Sequence, residues 1–248
     1  MGALVTPIIQ CIDVAVGYDE PVLEHVDLEV YPSEIVALLG ASGSGKSTLL
    51  RALCGLQPPL AGELRLFGEP LYGVHGEQRA ALLRRLGTAF QSDALFSSMT
   101  IEENVALPLR ELTNLPETVI AEMVRMRLEL VGIPELAGRN RAQISGGQRK
   151  RAALARASIL DPPLILCDEP TAGLDPLVAA GIEHTLLQFR RVLGSTVVIV
   201  SHELESIRAT ADRAVMLANG RVSAGGTYDE LARSADPTVR AFFHARAG

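Results

Sequence analysis

The chain has 248 residues, 48% of them hydrophobic and 21% charged, with a mean hydropathy of +0.22. That length holds one α/β domain or a domain with a small satellite, and the aliphatic content excludes disorder as the general description. A net charge of −6 and a pI near 5.4 exclude a global positive field, so nucleic acid is not an expected partner and any contact with an anionic membrane is local.

The first residues lack a basic start followed by a long apolar stretch, and no run approaches the ~20 apolar residues of a membrane span. A chain that is neither exported nor membrane-crossing is expected. Val26, Leu28 and Val30 alternate with Asp27 and Glu29, which predicts a half-exposed antiparallel strand. Ile35 to Leu39 (IVALL) is a continuous apolar run, the pattern of a parallel strand covered on both faces. A helix from Ser47 to Leu53 is stopped by Gly55, Pro58 and Pro59. From Ser92 to about Arg156 the chain reads mainly as helix. Within it, Thr100 and Glu103 have capping-box spacing, and Glu117 to Val131 sets Val119, Ile120, Met123, Val124 and Val131 on one face. Leu164 to Cys167 and Val197 to Val200 are two further buried strands, and Asn219-Gly220 turns a hairpin between AVMLA and RVSAG. Thr227 and Glu230 cap a last helix. The expected organisation is an α/β core over approximately 1–91 and 157–226, a helical subdomain over 92–156 and a helical tail over 227–248.

Cys11, Cys54 and Cys167 are scattered and odd in number, which argues against a disulfide framework or a structural zinc site and fits a reducing compartment. The 23 basic residues are 21 arginines and two lysines, Lys46 and Lys150.

Three motifs carry chemistry. The first is GASGSGKST: Gly40, Ala41, Ser42, Gly43, Ser44, Gly45, Lys46, Ser47 and Thr48. A phosphate cradle needs backbone N–H groups turned inward, which glycine permits, and a helix amino terminus behind them. Lys46 is expected at the β- and γ-phosphates, and the Ser47 hydroxyl on Mg2+. A chance match to the four fixed positions occurs in roughly 1% of chains this long, and the strand-loop-helix context lowers that further. A compact ammonium suits several phosphate oxygens better than a planar guanidinium. Lys150 has no such account and reads as a solvated helix residue.

The second motif, LILCDEP, ends a buried strand in Asp168 and Glu169, the first to hold Mg2+ and the second to activate the attacking water. Alone it is a common strand-ending turn; coupled to the phosphate loop it is strong. The third is QISGGQRKRAALARA, in which Ser145, Gly146 and Gly147 offer backbone N–H groups at a helix start, a second anion site.

Phosphate loop, ISGGQ and DEP in that order identify the chain as resembling the ATP-binding cassette (ABC) family, whose fold is a P-loop NTPase with a RecA-like parallel core, an antiparallel β subdomain and a helical insertion. The resemblance covers nearly the whole chain and implies ATP and Mg2+ as ligands. It implies that Tyr18 stacks on adenine, that Gln91 reaches Mg2+ and water, that His202 contacts the γ-phosphate, and that Asp175 lies at a dimer interface. It further implies head-to-tail pairing of two copies, with Ser145, Gly146, Gly147 and Gln148 of one facing the phosphate loop of the other.

No heptad run lies between Lys46 and Ser145, and one motif set is present, which removes the DNA-repair and fused translation-factor branches. A transporter subunit remains, and it implies separate transmembrane permease chains. The stretch Phe90 to Pro116 and the segment DPTVRAFF from Asp236 to Phe243 are similar to the ATPase of Mla/Mce-type phospholipid transporters. That likeness implies lipid transport between inner and outer membranes, a peripheral place on the cytoplasmic face of the inner membrane, an Mce-domain protein and a small regulatory subunit. The first stretch also resembles solute-importer cassettes and the FtsE type, a regulatory module that signals by dimerising. Gln148 stands where lipid-transport relatives often have methionine. In the apolar segment from Ala94 to Met99, Leu95 is expected in the core and Phe96 and Ser98 at a partner interface.

Overall fold

The computed structural model describes residues 5–244, so positions 1–4 of the expected core and 245–248 of the expected tail lie outside the described residues. In chain order the elements are β1 (Ile9–Gly17), β2 (Pro21–Val30), β3 (Ile35–Leu39), α1 (Lys46–Leu53), β4 (Ala61–Leu66), β5 (Glu69–Pro70), α2 (Gly76–Leu83) and β6 (Leu86–Ala89). Helices α3 (Ile101–Leu112), α4 (Glu117–Leu130) and α5 (Gly146–Ser158) follow. The chain then alternates through β7 (Leu164–Asp168), α6 (Pro176–Leu193), β8 (Thr196–Val200) and α7 (Leu204–Thr210), and closes with β9 (Arg213–Ala218), β10 (Arg221–Gly226), α8 (Tyr228–Ala232) and α9 (Pro237–His244).

The three uninterrupted apolar runs became the centre of one six-stranded sheet, ordered β10-β9-β3-β8-β7-β6. Its neighbours run parallel except the β9–β10 hairpin, which turns at Asn219-Gly220. Every residue of β3 and β8 is buried, because alternate side chains enter different cores. Val36 and Leu38 point with Leu49, Leu50 and Leu53 of α1 towards the second, antiparallel sheet, ordered β2-β1-β4-β5. Ile35, with Ile165 and Cys167 of β7 and Val197 and Ile199 of β8, packs under the helical layer of α3, α4, α5 and α6. Burying each such aliphatic side chain contributes ~1.5–3 kcal/mol, so a polar substitution at Leu38 or Ile165 strikes both sheet and cover.

The helical layer departs from expectation in one detail. Ile120, Val124 and Leu128 of α4 face the core, four residues apart, whereas Val119 is 41% exposed. One residue is about 100° of helix rotation, enough to carry Val119 off the stripe. The capping boxes at Thr100–Glu103 and Thr227–Glu230 both form. All three cysteines are buried and free, and burial pushes each thiol up to about 12. No helix among the described residues is long and apolar enough to cross a membrane.

Candidate functional site

Strand order assembles the site. β3, β8, β7 and β6 lie side by side and parallel, so the loops leaving their carboxyl ends emerge together. That edge is where α/β sheets bind ligands. These loops carry the glycine loop after β3, His202 after β8, Asp168 and Glu169 at the end of β7, and Gln91 after β6. A cavity of about 670 Å³ is lined by Ser42 through Thr48, Gln91, Glu169 and His202. An adjoining cavity of about 1120 Å³ shares Ser47 and Gln91 and adds Asp168, Arg51 and Tyr18.

The glycine loop has the form phosphate binding needs. Gly45 precedes α1 at φ 93, and a Cβ there would sit 2.5 Å from Leu23 Cγ, so both backbone angle and space call for glycine. Lys46 is only 7% exposed, and its Nζ donates to the carbonyls of Gly40 (2.8 Å) and Ala41 (2.9 Å), which holds the ammonium inside the loop. Ser44 Oγ is buried without a protein partner. The Ser47 hydroxyl donates to Asp168 Oδ1 at 3.4 Å. Burial, followed by the neighbouring Glu169 charge, raises the Asp168 carboxyl above the ordinary aspartate range.

Glu169 is buried. Its Oε1 lies 2.6 Å from His202 Nδ1, while Oε2 has no partner in the protein. One carboxylate oxygen is therefore held by an imidazole, and the other is a buried, unsatisfied acceptor on a residue that lines the cavity. Tyr18 is 62% exposed and its hydroxyl accepts from Arg51 Nη1 at 2.7 Å, so its ring edges the second cavity and not the glycine loop itself.

The ISGGQ segment is built differently. Ser145 caps α5 by accepting from the Gln148 backbone N–H (3.3 Å), and Gln148 Oε1 accepts from the Ser145 N–H (2.8 Å). Gln148 thus completes a capping box that methionine has no oxygen to make. Gly147 is buried against α6, where a Cβ would meet Val178 Cγ1 at 2.3 Å. Ser145 and Gly146 face outward, and neither they nor Asp175 lines either cavity. Asp175 caps α6 through the Val178 N–H at 3.1 Å. One chain therefore brings together the glycine loop, Gln91, Glu169 and His202, and leaves its ISGGQ segment elsewhere on the surface.

Two features of the site were not read from the sequence. Lys150 is a half-buried residue, not a solvated one: its Nζ donates to the Glu169 carbonyl at 2.7 Å. Asp93, two residues after Gln91, is 7% exposed and receives Arg141 through Nε (2.9 Å) and Nη2 (3.1 Å), with Arg149 Nε at 3.3 Å. Arg156 donates to the carbonyls of Ala94 (2.8 Å) and Asp93 (3.2 Å), so three arginines hold a turn in which both residues have positive φ. Beyond that turn Leu95 is buried and Phe96 is 51% exposed. The composition held one signal: a second lysine in a chain whose other cations are arginine.

Comparisons with known proteins agree with this geometry. Residues 23–172 match the ABC transporter family. The intermembrane phospholipid transport system ATP-binding protein MlaF of Haemophilus influenzae is 38% identical over 90% of this chain and 85% of that protein. The methionine import ATP-binding protein MetN of Xanthomonas euvesicatoria is 40% identical over 84% of this chain and 62% of that protein. The dimeric post-hydrolysis structure of the ATP-binding cassette MJ0796 bound to ADP and Pi superposes with a TM-score of 0.80, at 28% identity, over 89% of this chain and 98% of that one. The chain therefore belongs to the ABC transporter family and is an ATP-binding cassette of the ATP-hydrolysing kind.

Proposed function

We propose that this cassette is the ATPase subunit of a transporter that moves phospholipid between inner and outer membranes. The observation that carries the substrate class is the similarity to MlaF along nine-tenths of the chain. Two copies would pair head to tail, because the exposed Ser145–Gly146 helix start of each chain sits apart from its own glycine loop. Asp175, at the start of α6, would lie at that interface. The division into a core, a helical subdomain over 92–156 and a tail belongs to the same reading, as does the cytoplasmic face of the inner membrane with permease subunits, an Mce-domain protein and a small regulatory subunit.

The residues fit Mg2+. Asp168 is a desolvated carboxylate with a raised pKa beside the Ser47 hydroxyl, and Glu169 Oε2 is buried without a partner. Mg2+ takes most of its oxygens from water and phosphate, so one hydroxyl and one carboxylate from the chain are enough to place it. Ser47, Asp168 through its water, and Gln91 would hold it, and when bound it would neutralise charge on the phosphate oxygens. Lys46 and the Gly43–Thr48 N–H groups would bind the phosphates of ATP, Tyr18 would stack on adenine, and Ser145 to Gln148 of the second copy would close over the γ-phosphate. Glu169 would take the proton of the attacking water while His202 orients that carboxylate and donates to the γ-phosphate.

Glu169→Gln tests the chemistry. It keeps shape and loses the base, so ATP binding persists, the dimer stays closed, and turnover falls 10²–10⁴-fold. Undiminished turnover would overturn the assignment. Affinity purification from membranes tests the substrate class: recovery of a permease with a lipid-binding Mce-domain protein is expected, and a polar-solute permease with a substrate-binding protein would replace it with the importer reading.

A further inference from the structure

Both lysines of this arginine-rich chain donate to backbone carbonyls of the motifs that form the site: Lys46 to the glycine loop and Lys150 to Glu169. The second contact falls on an unusual residue. Glu169 has φ 48, the left-handed region that a side chain with a Cβ occupies only under constraint. Its N–H donates to the Val200 carbonyl of β8 at 2.8 Å. Its carbonyl accepts from Lys150 at 2.7 Å and, less closely, from the Ala172 N–H at 3.3 Å. The backbone is thus pinned by β8 through its N–H and by α5 through its carbonyl, and the side chain is held by His202 on one oxygen. What remains is Oε2, buried and without a protein partner.

We infer that Lys150 is a positioning residue, a strut from the ISGGQ helix that fixes the backbone of Glu169 and so aims its carboxylate. This rests on the role of Glu169 and the head-to-tail pairing proposed above. Lysine suits the task better than arginine. A carbonyl on a tight turn needs one donor on a long stem, and the ammonium also sets a positive charge among the Asp168, Glu169 and Glu203 carboxylates. The half-buried ammonium is partly desolvated, which strengthens its bond to the carbonyl.

The placement links two ATP sites. Lys150 is five residues beyond Ser145, ~7.5 Å along the axis of a helix whose start is locked by its capping box. In a head-to-tail pair that start faces the partner's nucleotide, while Lys150 on the same helix holds the Glu169 that faces the chain's own. A shift of α5 on engaging the partner's γ-phosphate is therefore delivered to the chain's own carboxylate.

The test uses the full chain and two substitutions. Lys150→Met keeps length and removes the donor; Lys150→Arg keeps charge and donors. In Lys150→Met, kcat falls at least tenfold while KM and the Kd for a fluorescent ATP analogue stay within twofold, and Lys150→Arg recovers part of the loss. Amide hydrogen exchange reads the strut directly. A non-hydrolysable ATP analogue protects residues 43–50 in both wild type and Lys150→Met, but protects 169–174 only where Lys150 is present. An unchanged kcat with unchanged exchange at 169–174 overturns the inference. So does a parallel loss of kcat, ATP affinity and thermal stability that Lys150→Arg does not relieve, since that pattern marks a packing role. Wild-type turnover in Glu169→Gln would remove the catalytic reading of Glu169 instead, and the exchange measurement would still decide the strut.

Discussion

Removing the Asp93 carboxylate tests whether the turn after Gln91 is held by charge. Asp93→Ala strips a buried anion from Arg141 and Arg149 and a carboxylate acceptor from the Leu95 N–H at 3.2 Å. Breaking a fully buried ion pair costs ~3–5 kcal/mol. Here the two arginine side chains are 38% and 33% exposed, so water recovers much of their solvation once the anion is gone. Counting the lost Leu95 hydrogen bond, the net destabilisation is about 2 kcal/mol. For a chain of this size that lowers the Tm by about 4–8 °C, since each kcal/mol is worth about 2–4 °C. Asp93→Asn keeps the volume and an acceptor for Leu95 but not the charge, and should lose roughly half as much. Differential scanning calorimetry on the wild type and both variants, repeated in 1 M salt, reads the series. A Tm for Asp93→Ala within 1 °C of wild type, or an Asn variant less stable than the Ala one, would refute an electrostatic clamp.

Two further outcomes follow from the site. Gly147→Ala drives a methyl into Val178 Cγ1, a stiff β-branched neighbour 2.3 Å away, and should cost about 1–3 kcal/mol and weaken ATP-dependent dimerisation; adding Val178→Ala should restore both, by calorimetry and sedimentation. Asp168 has a folded pKa raised by burial, so its contribution to stability is fully present below the unfolded value of ~3.9 and is lost as pH rises through the folded value. Asp168→Asn cannot ionise, so without nucleotide its Tm should fall less than that of the wild type as pH rises from about 4 to about 7; parallel Tm profiles by calorimetry would refute the raised pKa.

The features legible in the sequence were those whose cause is local. Continuous apolar runs placed β3, β7 and β8, because a strand buried on both faces has no polar side to show. Residue chemistry at fixed spacing located the glycine loop, the Asp168–Glu169 pair and the capping boxes, since each is made within a few residues. β6, with the four residues LGTA at the sheet edge, carries no comparable run, and β1 mixes exposed Ile12 and Asp13 with its buried positions. Lys150 and Asp93 escaped for another reason. The partner of Lys150 lies 19 residues on and those of Asp93 lie 48 and 56 positions on, distances closed only once α5 has docked against β6 and α3. Val119 shows the limit of periodicity within one helix: spacing says which residues share a stripe, and packing decides where the stripe ends.

The interleaved order of the core sheet has a consequence for how the chain is made. β3 and β7 carry the phosphate loop and the acidic pair, yet they are not paired with each other; β8 lies between them and hydrogen-bonds to both. A nascent chain that has left the ribosome as far as residue 172, where the match to the family model ends, holds both motifs but lacks the strand that sits between theirs. From the emergence of Leu39 to that of Val200, translation at ~5–20 residues per second takes on the order of 10 s. Over that interval the apolar edge of β3 lacks its neighbour on either side, which makes the half-made protein a client for chaperones until β8 slots in.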